Sequence, residues 1–257
     1  MTTNPKTPLN TTYPHPPQAQ PGTTMPRTLL LFGAGPGIGD HVAACFASQG
    51  GIGHVVLLGR NEGRLTSEDA PFVQKAAPDV KVSIVRADLS DVDSVPGVLK
   101  EVDALTEGED VEVVYYNAAR IKPTGAALDV SVKEIEEDLR IQVLSLHLIS
   151  QHYLPRLTTV SSKPALKPAL LVTSSHLPWD PIPQLLSLSL VKAAQRTQIL
   201  ALNRAYAEQG VHCGLISVQG VVDPKNKVLS PQVIAERALE FWQKGVEGGA
   251  EVNLVEE

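Results

Sequence analysis

A chain of 257 residues that is 43% hydrophobic and 19% charged has the make-up of an ordinary globular protein, which excludes the disordered, collagen-like and membrane-embedded classes. No run approaches the roughly 18 uninterrupted apolar residues of a spanning helix. A net charge of −6 leaves no electrostatic footprint for nucleic acid. Two cysteines, Cys45 and Cys213, and seven scattered histidines make neither a disulfide framework nor a zinc-spaced cluster. No metal and a reduced, cytoplasmic setting are expected.

The first 26 residues differ from the rest. Met1 to Pro26 holds seven prolines and seven threonines, and Lys6 is its only Lys or Arg. It lacks the apolar core of a secretory signal and the arginines of a mitochondrial presequence. Too little of it is apolar to offset the entropy of ordering it, so a disordered tail is expected. Residues 27–257 then suffice for one α/β domain with a sizeable core.

From Thr28 onward, short apolar runs alternate with amphipathic segments. Strands are predicted at Thr28–Phe32, His54–Leu58, Val80–Val85, Val111–Tyr116, Ala169–Thr173, Val211–Ser217 and Glu251–Leu254. Several are β-branched and nearly continuous, the mark of strands covered on both faces. Helices are predicted at Gly37–Gln49, Glu68–Ala77, Asp91–Thr106, Val132–Leu157, Leu185–Glu208 and Pro231–Lys244. Ser131 with Glu134 reads as a capping box, and Ser230 before Pro231 as an N-cap with proline at the first helical position. Strict alternation with long crossovers predicts a single Rossmann-type, doubly wound parallel sheet of about seven strands, with helices on both faces.

Between the first strand and first helix stands Gly33-Ala34-Gly35-Pro36-Gly37-Ile38-Gly39. Glycines there let the chain turn sharply and approach a pyrophosphate, whose charge is met by free N–H groups and the helix dipole. The second strand ends Leu58-Gly59-Arg60-Asn61, with no carboxylate before Glu62. A carboxylate at that place accepts ribose hydroxyls, whereas Arg60 can pair with a 2′-phosphate. NADP(H) is therefore the expected cofactor.

The spacing of Gly33, Gly37 and Gly39 resembles that of the short-chain dehydrogenases/reductases. Asp88-Leu89 after the third strand is similar to that family's adenine-capping acid, and Asn117-Ala118-Ala119 after the fourth resembles its N-N-A-G motif. Tyr116 stands for the first Asn of that motif and Ala119 for its Gly. The similarity runs from Thr28 to about Asp223. It implies cofactor contacts at Gly33, Gly35, Gly37, Ile38, Gly39, Asp88, Leu89, Asn117, Ala118 and Lys192, beside Arg60. It also implies a homodimer or homotetramer paired through the helices at Val132–Leu157 and Leu185–Glu208.

In the active site the family pattern breaks. Members place an Asn, a Ser and a Tyr-x-x-x-Lys around the nicotinamide, where the Ser polarises a carbonyl and the Lys lowers the pKa of the Tyr that moves the proton. Here Ser175 ends the fifth strand as the family's serine does, and Lys192 matches the lysine. Leu188 occupies the tyrosine position, Gln142 that of the helix Asn, and Gln219-Gly220 that of a proline-glycine pair. None of the five tyrosines is followed by lysine four residues on. Catalytic candidates are Ser175, Lys192, His176 and Gln142. His176 and Asp180 are possible substitute donors, and Trp179 offers a flat apolar wall. Only about ten residues separate Gly220 from Ser230, which suggests an open pocket.

The resemblance implies an atypical oxidoreductase that uses NADPH to reduce a carbonyl or imine in a small apolar, secondary-metabolite-like substrate. The alternatives are a non-redox cyclase, isomerase or dehydratase on the same scaffold, or a cofactor-binding pseudoenzyme.

Overall fold

The computed structural model describes residues 25–255. The expected tail lies almost wholly outside the described residues. Seven parallel strands form one sheet in the order β3-β2-β1-β4-β5-β6-β7. They are β1 (Arg27–Phe32), β2 (His54–Gly59), β3 (Lys81–Arg86), β4 (Asp110–Tyr116), β5 (Ala169–Ser175), β6 (His212–Gln219) and β7 (Glu251–Val255). The central strands β1, β2 and β4 are buried almost throughout, as their unbroken aliphatic runs require.

Helices cover both faces. On one side α1 (Ile38–Gln49), α3 (Ala70–Ala76) and α8 (Pro231–Lys244) close a core around Val42, Phe46, Val73 and Trp242. Phe46 and Trp242 stack with ring centres 5.0 Å apart. On the other side α4 (Val95–Leu105), α6 (Ser145–Val160) and α7 (Leu186–Tyr206) pack Leu99, Ile149, Tyr153 and Ile199 onto the sheet. The chain leaves β1 toward one face and β4 toward the other. The crevice at that reversal is where ligands settle in such sheets.

Three helices depart from the sequence reading, and the one expected from Asp91 starts only at Val95. The segment expected to begin at Glu68 begins at Glu62, where Asn61 caps the short α2 (Glu62–Arg64) by accepting the Arg64 N–H at 3.1 Å; a π turn, Leu65–Asp69, then leads into α3. The long helix from Val132 is α5 (Val132–Leu139) and α6 joined by a second π turn, Arg140–Leu144. Carbonyls in that turn accept from outside the helix: Tyr116 Oη donates to Ile141 O, and Gln195 Nε2 to Gln142 O. Both chemically marked helix starts are present. Ser131 and Glu134 cap reciprocally, and Ser230 Oγ accepts the Val233 N–H.

Candidate active site

A cleft of about 810 Å³ opens at the C-terminal ends of β1, β2 and β4. Its floor is the glycine turn. Gly33 has φ +89°, and a Cβ there would lie 2.5 Å from the Ala118 nitrogen, so only glycine fits between the strands. A Cβ at Gly39 would meet the Gly33 carbonyl at 2.9 Å, which explains how α1 packs so close to the turn. Gly37 faces open space and caps α1 without any side-chain hydrogen bond. Gly37 and Ile38 at the start of α1 line the cleft, and the helix has no side-chain cap there, an arrangement suited to an anion.

The rim carries charge. Arg60 is exposed at the end of β2 and lines the cleft with Asp88, Leu89 and Glu62. Partial burial raises the Asp88 carboxyl, but hydrogen bonds from the Ser90 hydroxyl and N–H outweigh it. Arg60 and Arg86 add to that pull, so the group lies below its ordinary value. Arg64 was not foreseen as a site residue. Its Nη2 donates to Ala34 O at 2.8 Å, and its guanidinium lies 3.1 Å from where a Gly35 Cβ would stand. The signal was present in the sequence: Asn61 as a cap puts Arg64 in the first turn of the helix that follows Arg60.

Several candidate residues join in one hydrogen-bonded chain. Asn117 Nδ2 donates to Gly33 O at 3.1 Å, and Thr173 Oγ1 donates to Asn117 Oδ1 at 2.8 Å. Lys192 Nζ then donates to Thr173 O at 2.9 Å and to Gln195 Oε1 at 2.8 Å. Gln195 completes the chain at Gln142 O, 2.9 Å away. Lys192 is buried, and that desolvation pushes its amine down to about 7. Gln195, like Arg64, went unnoticed in the sequence.

Other candidates are placed differently. Leu188 packs in an apolar cluster with Leu177 and Val191, against Leu139 and Val143. Ser175 Oγ accepts the Leu177 N–H at 3.3 Å. The Gln142 carboxamide is fully buried, and neither of its polar atoms finds a partner among the described residues; Ser174 Oγ is in the same position. His176, Trp179 and Asp180 line a separate open hollow of about 750 Å³ with Gln219 and Gly220. There the Arg196 guanidinium lies over the Trp179 ring at 4.5 Å and pairs with Glu251. Tyr116, beside Asn117, is wholly buried, and desolvation holds its phenol far above the ordinary range. It cannot exchange protons at neutral pH.

A family model described as enoyl-(acyl carrier protein) reductase matches residues 33–245. The chain belongs to the short-chain dehydrogenase/reductase superfamily. It is 25% identical over 198 residues to the uncharacterized oxidoreductase YghA of Escherichia coli, which covers 76% of this chain and 63% of that protein. The uncharacterized oxidoreductase Rv0945 of Mycobacterium tuberculosis is 34% identical over 86 residues, about a third of each chain (34% and 33%). The chain thus spans less than two thirds of the length of these relatives.

Among solved structures, a 7β-hydroxysteroid dehydrogenase shares the fold with TM-score 0.73 and 23% identity, covering 90% of this chain and 88% of that one. An alcohol dehydrogenase from Thermococcus sibiricus in complex with 5-hydroxy-NADP gives TM-score 0.71 at 23% identity, over 89% and 95%. A short-chain oxidoreductase from Pseudomonas aeruginosa with an atypical catalytic centre and NADPH bound gives 0.74 at 17%, over 88% and 94%.

Proposed function

We propose that this chain is an NADP(H)-dependent reductase acting on a carbonyl or imine carbon of a small apolar molecule. The observation that carries the reading is the pair of cations, Arg60 and Arg64, where the turn meets the end of β2. A carboxylate there would favour the ribose hydroxyls of NAD; two guanidiniums favour a 2′-phosphate. The residues present fit a dinucleotide: glycines clear the floor, the start of α1 faces the phosphates, and Asp88 stands on the adenine side. NADPH-bound and 5-hydroxy-NADP-bound neighbours of the same fold support the choice.

When bound, the nicotinamide supplies a hydride. The remaining work falls to this chain. Lys192, fixed between Thr173 O and Gln195, holds a proton that it exchanges near neutrality. Ser175 offers a hydroxyl at the end of β5 to orient a carbonyl oxygen. Leu188 contributes only apolar surface. A protonated imine carbon accepts hydride without any further proton, so the apolar cluster at Leu188 favours imines over ketones. Pairing of two or four copies along α6 and α7 belongs to the same reading.

Titration of both cofactors tests it. NADP(H) should bind at least about tenfold more tightly than NAD(H), because one charge-assisted pair contributes about 1.5–3 kcal/mol. Arg60→Ala should erode that preference. Equal affinities in the natural protein would overturn it.

A further inference from the structure

At the end of the sheet opposite the cleft, three side chains line up. His54, the first residue of β2, is wholly buried. Its Nδ1 lies 2.5 Å from Glu109 Oε2, and its Nε2 lies 2.9 Å from Oγ of Ser83 on β3. Glu109 sits in the turn before β4, where its N–H donates to Thr106 O. Thr28 Oγ1 and Lys81 Nζ donate to its two carboxylate oxygens at 2.7 and 3.2 Å. A carboxylate only accepts, so His54 Nδ1 donates to it. Nε2 of the neutral ring is then an acceptor, and the Ser83 hydroxyl donates to it. Serine, imidazole and carboxylate stand in the order and at the distances of a nucleophilic triad.

The surroundings suit that role. Burial lowers the His54 imidazole, and the pull of Glu109 restores it only in part, so the ring is neutral and able to take a proton. Burial raises the Glu109 carboxyl, but hydrogen bonds from His54, Thr28 and Lys81 outweigh it and keep the group ionised beside the ring. Ser83 is half-buried rather than closed off, because β3 is the edge strand. Lys81 N and Ala87 N donate across to Gly53 O and Gly59 O on the β2 side. Alternation along the strand therefore turns the N–H groups of Val82 and Ile84 to the open edge, where the sheet supplies neither with a partner. Two donors flank the serine, as a developing oxyanion requires.

We propose that Ser83, His54 and Glu109 form an acyl-accepting site in which Ser83 takes the acyl group of a small activated ester. The site shares no residue with the glycine-turn cleft and works whatever that cleft binds. Ser83 Oγ attacks the ester carbon while its proton passes to His54 Nε2, and Glu109 balances the imidazolium. A bond from Oγ to the acyl carbon forms, the bond to the leaving oxygen breaks, and the leaving group departs with the proton from Nε2. Water then attacks the acyl-serine through the same base, which releases the carboxylic acid and restores the hydroxyl. Nothing is oxidised or reduced. The half-buried position of Ser83 restricts the acyl group to a short one.

The test treats the full chain with para-nitrophenyl acetate and, separately, with a small alkyl fluorophosphonate. Peptide mass mapping should find the acetyl and the phosphonyl group on Ser83, with nitrophenolate released in a burst. Ser83→Ala should lose both labels while its melting temperature stays close to that of the natural protein. His54→Asn keeps a donor for Glu109 but removes the base from Ser83, so Ser83 should be labelled at least about a hundredfold more slowly. A measurement without any variant runs beside these. The natural chain unfolded in urea exposes Ser83 fully but has no triad, and labelling of Ser83 should vanish there. Absence of label on Ser83 in the folded protein would overturn the proposal. Undiminished labelling in folded His54→Asn, or in urea, would overturn it equally, since Ser83 would then be merely accessible and His54 only a tie between β2 and β3.

Discussion

Lys192 Nζ lies 2.8 Å from Gln195 Oε1, so the buried amine of α7 is answered by a neutral carboxamide rather than a carboxylate. Gln195 in turn donates to Gln142 O, a carbonyl of the π turn between α5 and α6. The irregularity in one helix and the placement of the lysine on another are parts of one arrangement. It holds an amine in a site that does not favour its charge.

That arrangement makes stability depend on pH in a defined direction. The folded-state pKa of Lys192 is lowered from 10.5 to about 7, so between those values the unfolded chain binds the proton and the folded one does not. Stability from this group therefore rises with pH across that window and is flat below it. Lys192→Met should remove that slope. Relative to the natural protein, the variant should lose ground steadily as pH increases from about 7 to 10. Thermal unfolding across that range is the measurement, and parallel curves for the two proteins would contradict the lowered pKa.

Gly33→Ala should damage both fold and cofactor binding. The left-handed φ alone makes alanine unfavourable by more than about 1 kcal/mol. The 2.5 Å approach to Ala118 N adds a clash with main chain that cannot swing aside. A lower Tm with loss of measurable NADPH affinity is expected. Native-like affinity would show that the turn is not the floor of the cofactor site.

Much of this architecture is visible in the residues themselves. Leu29-Leu30-Leu31-Phe32 and Val55-Val56-Leu57-Leu58 read as doubly covered strands because nothing polar interrupts them, and both strands are buried throughout those runs. The Ser131/Glu134 and Ser230 caps fix two helix starts by local chemistry alone. The start at Glu62 was missed because Asn61 reads equally as a turn residue and as a cap. The π turns are illegible because no local residue pattern marks them. In the turn Arg140–Leu144 the freed carbonyls are taken by donors far along the chain, Tyr116 and Gln195. Glycine spacing marked the turn that floors the cleft, whereas the link from Lys192 to Gln142 needs a carbonyl that only the folded irregularity exposes. His176 is adjacent to Ser175 in sequence, but the two line different surroundings because the chain turns out of β5 toward the second hollow.

Leu188→Tyr should restore a phenol where the family carries one. Leu188 is 7% exposed among Leu177, Val191 and their neighbours, so the larger ring costs about 1–3 kcal/mol in stability. The variant should gain NADPH-dependent reduction of a simple ketone, on the order of 10² or more, since a general acid is worth about that much. Adding Ser175→Ala should abolish the gain. No gain in a folded Leu188→Tyr protein would mean that Ser175 and Lys192 do not flank position 188 as a working set.

On the proposed reading the cleft serves redox chemistry. The direct measurement follows NADPH absorbance and product formation together in the natural protein, using a panel of cyclic imines and apolar ketones. One NADPH should be consumed per product formed, with imines turned over faster than ketones. Product formed without NADPH oxidation, and equally well with a redox-inert analogue of the cofactor, would contradict it.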